Sequence, residues 1–173
     1  HCGGRFSLNT KALFIFKMPR IKLVKAKIKH SKKVFLWRNE PNTIPWMASK
    51  QAIKFEDHNE WYKKAITDSN CMLFIICYEG EEVGQIRYNI DKTLGKKVAR
   101  VSMNITEEMQ GKGIGSVAFE LGLQNVKASK FAEKVQVRVH EVKEGWIRSM
   151  EKIGFKRSGF TKVHGEKQLV LIG

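Results

Sequence analysis

The hydrophobic pattern of the chain changes its period between residues 98 and 129. Apolar and polar residues first alternate, as in a half-buried strand, with Val101, Met103 and Ile105 on one side. After a polar turn, apolar residues recur at the spacing of an amphipathic helix. Its apolar face comprises Ile114, Val117, Ala118 and Leu121, widened by Phe119, Leu123 and Val126. The pattern predicts a strand, a tight turn and a helix in direct succession.

The turn between them, residues 110–115, is rich in glycine. Glycine lets the backbone approach a ligand, and the first N–H groups of a helix are unpaired at the positive end of its dipole. An anion site is therefore one interpretation, and a plain tight turn is the other. A P-loop is excluded because Gly113, not Ser or Thr, follows Lys112. A dinucleotide-binding fingerprint is excluded because it requires an early strand, whereas this turn lies well past the middle of the chain.

The rest of the chain predicts an ordered series of elements. Ser31 is a candidate N-cap for a helix that ends before Pro41, and a second helix carries His58, Trp61 and Tyr62 on one face. Further strands are predicted at residues 21–24, 72–78, 83–90, 135–139, just after residue 155 and at 168–172, with a short helix at 145–152. The order β, α, α, three strands, α, β, α, β, β predicts one α/β (α+β) domain, with helices on both faces of a single sheet.

The net charge of the chain indicates which kinds of ligand it favours. The 173 residues carry a formal net charge of +15, and no Asp or Glu precedes Glu40. This excess favours a nucleic acid, an acidic membrane surface or a nucleotide-bearing ligand, unless it reflects solvated lysines only. We do not expect a nucleic-acid binder, since the lysines are dispersed and the aromatic residues mostly have core spacing. We expect no membrane partner, because no segment is long enough to span a bilayer.

The positions of the cysteines and histidines indicate whether the chain has a metal site and in which compartment it resides. Cys2, Cys71 and Cys77 have no metal-ligand spacing, and the five histidines are dispersed. We therefore expect no metal site and a reducing, cytoplasmic location. We interpret residues 1–17 as a leader, tag or extension and residues 18–173 as the folded domain, because the first strand pattern begins soon after Met18.

Two motifs resemble those of the GNAT superfamily of acetyl-CoA-dependent N-acetyltransferases. Gln110-Gly111-Lys112-Gly113-Ile114-Gly115 is similar to the Gln/Arg-x-x-Gly-x-Gly/Ala signature, and residues 151–155 are similar to the Glu-Lys-x-Gly-Phe at the end of the penultimate helix. The element order is also that of the family. The resemblance implies a mixed, mostly antiparallel sheet of about seven strands. A further set resembles the branch that acetylates nucleotide-linked amino sugars: Trp37, Arg38, Asn39, Trp46, Met47, His58, Trp61 and residues 83–87.

By this resemblance, acetyl-CoA is the co-substrate. The pyrophosphate of coenzyme A would lie on the turn and the pantetheine arm along the preceding strand, with the amide near Ile105 stabilising the oxyanion. The implied cofactor-binding residues are Met103, Asn104, Ile105, Gln110, Gly111, Lys112, Gly113, Ile114, Gly115 and Ser116.

The proton chemistry departs from the pattern of the family. Its usual tyrosine acid is Met150 here, an asparagine seven residues earlier is Lys143, and a glutamate on the strand is Arg100. Methionine cannot donate a proton. We therefore predict His140 and Glu141, which follow the fifth predicted strand, as catalytic residues that relay the proton of the amine.

The acceptor is expected on segments that border the acceptor cleft of this fold. The predicted substrate-binding residues are Trp37, Arg38, Met47, Arg87 and Tyr88. The guanidinium of arginine suits a diphosphate, whereas the alternative is surface ion pairing for the arginines and core packing for Trp37. The predicted function is acetyl transfer to a primary amine of a small molecule, with a nucleotide-linked amino sugar favoured. A polyamine, a protein N-terminus and a non-catalytic coenzyme A-binding or basic binding module are the alternatives, and a homodimer is left open.

Overall fold

The structure, a computed structural model, describes residues 21–47, 49–95 and 97–173. Its strands and α-helices are β1 Ile21–Lys25, α1 Ser31–Arg38, α2 Phe55–Ala65, β2 Cys71–Tyr78, β3 Glu81–Ile90, β4 Val98–Ile105, α3 Ile114–Ala128, β5 Lys134–Val139, α4 Glu144–Lys152, β6 Lys156–Val163 and β7 Glu166–Ile172. The predicted order of elements is confirmed. The interpretation of residues 1–17 as a leader, tag or extension lies outside the described residues.

The strands form one mixed sheet in the order β1-β2-β3-β4-β5-β7-β6. Neighbouring strands are antiparallel except β4 and β5, which run parallel. These two pair at three positions, and the last is Arg100 with Gln136. Beyond that pair, β4 stays with β3 as far as Ile105 and β5 stays with β7 as far as Val139. The predicted seven-stranded, mostly antiparallel sheet is therefore confirmed, and it opens along a gap between β4 and β5.

Two hydrophobic cores cover the two faces of this sheet, because alternate strand residues point to opposite sides. On one face, Leu73 and Ile75 of β2 pack with Val34, Trp37 and Tyr62 of α1 and α2. The larger core, on the other face, joins the sheet to α3 and α4. Its most buried side chains include Ile76, Ile86, Tyr88, Phe119, Met150 and Leu171.

Two local predictions were wrong. His30, not Ser31, is in the N-cap position of α1, and the Ser31 hydroxyl donates to Oδ1 of Asn59 in α2 at 2.9 Å. The hydroxyl thus joins two helices instead of capping one. Val117 is 44% exposed, because the buried face of α3 turns away from it and is carried by Ala118 and its neighbours.

Within the described ranges, we find no helix that combines the length and the hydropathy needed to cross a membrane.

Candidate active site

A cleft of about 600 Å³ lies at the gap between β4 and β5. Its lining comes from both faces of the sheet, so the cleft passes from one face to the other. On the side of α3 and α4 it is lined by Val101, Met103, Phe119, Val137, Val139 and Trp146. On the side of α1 and α2 it is lined by Arg38, Trp46, Arg87, Arg100, Arg138 and His140, among others.

The backbone of β4 presents N–H and C=O groups to this gap. The N–H of Thr106 donates to the carbonyl of Val83 at 2.9 Å, so even-numbered residues turn their backbone groups toward β3. Met103 and Ile105 therefore direct their N–H and C=O groups toward β5, past the point where the two strands stop pairing. An extended polar chain can bind along such an edge as an added strand would.

The Asn104 backbone, by the same alternation, faces β3 rather than the gap. Its side chain has another role, because Nδ2 donates to the carbonyl of Trp37 at 2.9 Å. Asn104 thus connects β4 to the end of α1.

The glycine turn, residues 110–115, lies directly beyond this edge. Gly111 and Gly113 have φ values of +74° and +75°, in the left-handed region that favours glycine, and Gly113 is the N-cap of α3. A Cβ added at either glycine would meet no heavy atom within 4 Å, so the space above the turn is open. The first turn of α3 carries no acidic residue. The Gln110 side chain donates to the carbonyl of Ile105 at 2.9 Å, which fixes the turn to the end of β4.

His140 follows β5 on the face that carries α1 and α2. Its Nε2 lies 3.1 Å from the side-chain amide of Gln168 and 3.6 Å from a carboxylate oxygen of Glu166. The ring also packs edge-on against Trp46, with 5.3 Å between centroids. The Lys50 ammonium binds Glu166 and lowers the pKa of its carboxyl, which is therefore ionised and able to stabilise a protonated imidazole.

Arginines dominate the same face of the cleft. Arg38, Arg87 and Arg100 each carry a buried guanidinium nitrogen that has no hydrogen-bond partner among the described residues. Burial lowers the pKa of Arg38, Arg87 and Arg138, yet arginine remains charged in proteins. The charge is offset in part, because Asp91 binds Arg100. This side of the cleft is cationic and suits an anionic ligand.

A comparison with protein families now places the chain. Residues 20–156 match the family model described as Acetyltransferase (GNAT) domain. The chain belongs to this family. It is an acetyltransferase with the GNAT fold, and acetyl-CoA is its co-substrate.

Solved structures share this fold at low sequence identity. An aminoglycoside acetyltransferase AAC(6')-Ib bound to coenzyme A and kanamycin matches with a TM-score of 0.75 and 16% identity, over 88% of this chain and 94% of that one. The microcin C7 self-immunity acetyltransferase MccE, bound to acetyl-CoA and AMP, matches with 0.72 and 19%, over 89% and 92%. A SpeG spermidine N-acetyltransferase chimera from Vibrio cholerae matches with 0.73 and 16%, over 89% and 95%. A comparison with curated protein sequences finds no match.

The glycine turn and the β4 edge have room and donors for coenzyme A, whereas the Asn104 backbone faces away. The open glycine turn can hold the pyrophosphate, with N–H groups at the start of α3 and the nearby Lys112 ammonium as donors. The backbone of Met103 and the N–H of Ile105 can hold the amide groups of pantetheine, since the Ile105 carbonyl already accepts from Gln110. Gly115 keeps the helix close to the strand, because a Cβ there would lie 3.2 Å from the Met103 side chain.

The predicted acceptor residues divide between the cleft and the cores. Arg38, Met47 and Arg87 line the cleft. Trp37 does not, because it packs in the smaller core and is 7% exposed. Tyr88 lies on the opposite face of the sheet from Arg87, as neighbouring strand residues must, and its hydroxyl donates to the Phe119 carbonyl at 3.4 Å. We therefore remove Trp37 and Tyr88 from the acceptor site.

Glu141 is also outside the cleft. Its carboxylate lies 3.6 Å from Nζ of Lys167, and it lines a separate cavity with Arg148 and Arg157. The chain turns after β5, so that His140 and Glu141 face different spaces. The structure supports only His140 as a proton relay.

The position of the usual tyrosine acid offers no donor in this GNAT domain. Met150 is fully buried in the larger core. Lys143 is instead in the cleft, with its ammonium 3.9 Å from the centroid of the Trp46 ring. It is a cation close to His140, since both contact the same indole.

Several cleft residues were not predicted: Lys50, Arg138, Glu166 and Gln168. The sequence could have predicted Arg138. It alternates with the valines of β5, just as Arg100 and Ser102 alternate with apolar residues of β4, so all three should lie on the same face of the sheet. Lys50, Glu166 and Gln168 carry no such signal, since long-range folding alone brings them to His140.

Proposed function

We propose that the protein transfers the acetyl group of acetyl-CoA to a primary amine of a small molecule, and that a nucleotide-linked amino sugar is the acceptor. One observation carries the proposal: past the last β4–β5 pair the sheet opens, and the cleft there connects the face of α3 and α4 to a cationic chamber lined by Arg38, Arg87, Arg100 and Arg138 on the other face. Acetyl-CoA enters from one side and the amine from the other, and they meet in the gap.

The residues of the gap supply the positioning and the proton transfer. The turn binds the pyrophosphate and the β4 edge aligns the pantetheine, which brings the thioester carbonyl to the N–H groups of Met103 and Ile105. Such backbone donors stabilise the oxyanion that forms when the amine attacks. His140 takes the proton of the amine, directly or through a water molecule, and Glu166 stabilises the imidazolium that results.

The thiolate leaves without a tyrosine acid. We propose that the Lys143 ammonium, which lies in the cleft above Trp46, stabilises the departing sulfur electrostatically. The sulfur then takes its proton from Lys143 or from water.

The charge of the chamber selects among acceptors. Arginine and lysine side chains outnumber carboxylates in its lining, with Glu166 as the carboxylate that lines the cleft directly. A polyamine or another polycation would be repelled there, whereas a phosphate-bearing amine would be attracted. This favours the nucleotide-linked sugar over the polyamine.

Release of the free thiol of coenzyme A, measured against a panel of amines, tests the proposal. The panel pairs a UDP-linked 4-amino sugar with the same amino sugar lacking the nucleotide, and adds spermidine and a peptide with a free N-terminus. We expect thiol release to be fastest with the nucleotide-linked sugar. Absence of turnover with every amine of the panel would overturn the proposed reaction, and turnover of spermidine alone would overturn the acceptor.

A further inference from the structure

We propose that Arg87 and Arg100 form a phosphate-binding site for the acceptor, separate from the coenzyme A turn. The inference rests on the proposed function for the identity of the acceptor, but not for the existence of the site. It places the anionic part of the acceptor at one wall of the cleft.

That wall separates the cleft from a second cavity of about 410 Å³. Arg87, Arg100 and Ser102 line both spaces. The remaining lining of the second cavity is Asn89, Ile90, Asp91 and Lys92. A ligand that extends from the gap into this cavity must pass the two guanidinium groups.

Strand register brings the two arginines together. Arg87 of β3 pairs with Ser102 of β4, and Arg100 pairs with Asn89. The two arginines are therefore diagonal neighbours on one face, and such pairs have Cβ atoms roughly 7–8 Å apart. An oxyanion between them can contact both guanidinium groups, with the Ser102 hydroxyl beside it.

The hydrogen bonding of the pair is incomplete. The Nε atoms of Arg87 and Arg100 are both buried and have no partner among the described residues. Asp91 binds a terminal nitrogen of Arg100. Arg87 has no carboxylate partner within the described ranges, and its guanidinium carbon lies 4.8 Å from the centroid of the Trp61 ring. Of these two neighbouring cations, only Arg100 has a carboxylate partner among the described residues, and a bound anion would stabilise the pair.

The chemistry of the pair favours phosphate. Guanidinium groups bind phosphate oxygens through paired, charge-assisted hydrogen bonds. Arg138 adds to the positive field, because its pKa is lowered first by burial and then by the nearby charge of Arg100. A phosphate or diphosphate would lie at this wall, the amine would reach back into the gap, and the rest of the acceptor would enter the second cavity.

Binding to the protein saturated with coenzyme A tests the site, because the glycine turn is then filled. We expect inorganic pyrophosphate and UDP to bind to this complex in calorimetric titrations. Arg87→Met and Arg100→Met should each weaken binding about tenfold or more, the effect of one lost charge-assisted hydrogen bond. Arg148→Met is the matched control, since Arg148 is exposed on α4 and pairs with Glu144. It should leave both affinities unchanged.

The outcomes separate this site from the proposed reaction. Arginine-dependent binding of pyrophosphate or UDP without turnover of any amine would support the phosphate site and overturn the proposed reaction. Turnover of amines without arginine-dependent binding would support the reaction and overturn the phosphate site. Arg87→Lys keeps the charge and replaces the planar group, so it gives intermediate affinity and serves if Arg87→Met does not fold. Failure of pyrophosphate and UDP to bind, or binding of malonate in their place, would overturn the assignment to phosphate.

Discussion

His140 has the contacts that a proton relay needs. Glu166 and Gln168 both approach Nε2, and Trp46 fixes the ring from the side. The amide of Gln168 offers both a donor and an acceptor, so it can pair with either tautomer of the ring. The Glu166 carboxylate lies 3.6 Å from Nε2, close enough to stabilise positive charge that develops on the ring during transfer.

We expect His140→Gln to lower kcat by about 10²–10³-fold, the usual effect of losing a general base. The substituted amide can keep the contact with Gln168 but cannot accept the proton. Thiol release with saturating acetyl-CoA and acceptor measures kcat. Glu141→Gln is the control and should retain the rate of the wild type, because Glu141 lines a separate cavity. A wild-type rate in His140→Gln would exclude the histidine.

His58 gives the free energy of unfolding a dependence on pH. Its ring is buried, and Nε2 lies 3.0 Å from the Ser31 carbonyl. Burial lowers its pKa below 6.5, although the Ser31 carbonyl opposes this effect. The unfolded chain therefore binds a proton more readily than the folded one, so the stability from His58 is complete above pH 6.5 and falls as the pH decreases through the lowered value.

We expect His58→Gln to reduce the loss of stability between about pH 7 and pH 5, measured by urea unfolding at each pH. His30 is also buried with a lowered pKa, so part of the loss will remain in this variant. His164→Gln, in the exposed turn before β7, is the control and should leave the dependence intact. An unchanged loss in His58→Gln would contradict the assignment.

At the scale of elements, the sequence predicts the alternations well and the long-range contacts poorly. The pattern at residues 101–105 correctly places Met103 and Ile105 on the side of α3, because period-two alternation follows directly from strand geometry. The same rule should have separated Arg87 from Tyr88. Trp37 lies in the smaller core because of how α1 packs on α2 and β2, which no local pattern reveals.

The predicted role of the glycine turn in binding coenzyme A can be tested by comparing it with a second glycine-containing turn. Gly113→Val forces a branched side chain to φ near +75°, which costs about 1–2 kcal/mol and fills the space above the start of α3. Gly80→Val is the matched control, because Gly80 has φ near +95° and open space in the β2–β3 turn, and it does not line the cleft. We expect both variants to lose similar stability, and Gly113→Val alone to bind coenzyme A about tenfold or more weakly. Equal affinities for coenzyme A would show that the turn has a structural role only.

At the scale of the whole molecule, the net charge of +15 and the arginines of the cleft act in the same direction. The field of the protein attracts an anionic acceptor before any contact is made. Salt screens this attraction over a Debye length.

Raising the ionic strength from about 0.01 M to about 0.15 M shortens the Debye length from roughly 30 Å to roughly 8 Å. We expect kcat/KM for the nucleotide-linked sugar to fall over this range. The same amino sugar without its nucleotide lacks the negative charge and should not show the fall. Steady-state kinetics with the two acceptors provides the measurement, and an equal salt dependence would contradict an anionic acceptor.

The short pairing of β4 with β5 has a consequence for the catalytic cycle. Among the described residues, the half-sheet β1–β4 and the half-sheet β5–β7 pair at three positions, and the Lys97 carbonyl adds bonds from the N–H groups of Glu133 and Lys134 at the same end. In the proposed mode of binding, the pantetheine arm lies along β4 and supplies hydrogen bonds where a neighbouring strand is missing, so the co-substrate would be a temporary member of the sheet. Each turnover removes this member and each new acetyl-CoA restores it. The enzyme without acetyl-CoA therefore has the fewest hydrogen bonds along this edge of β4. Hydrogen exchange of the Met103 and Ile105 amides should be faster in that state than in the complex with acetyl-CoA.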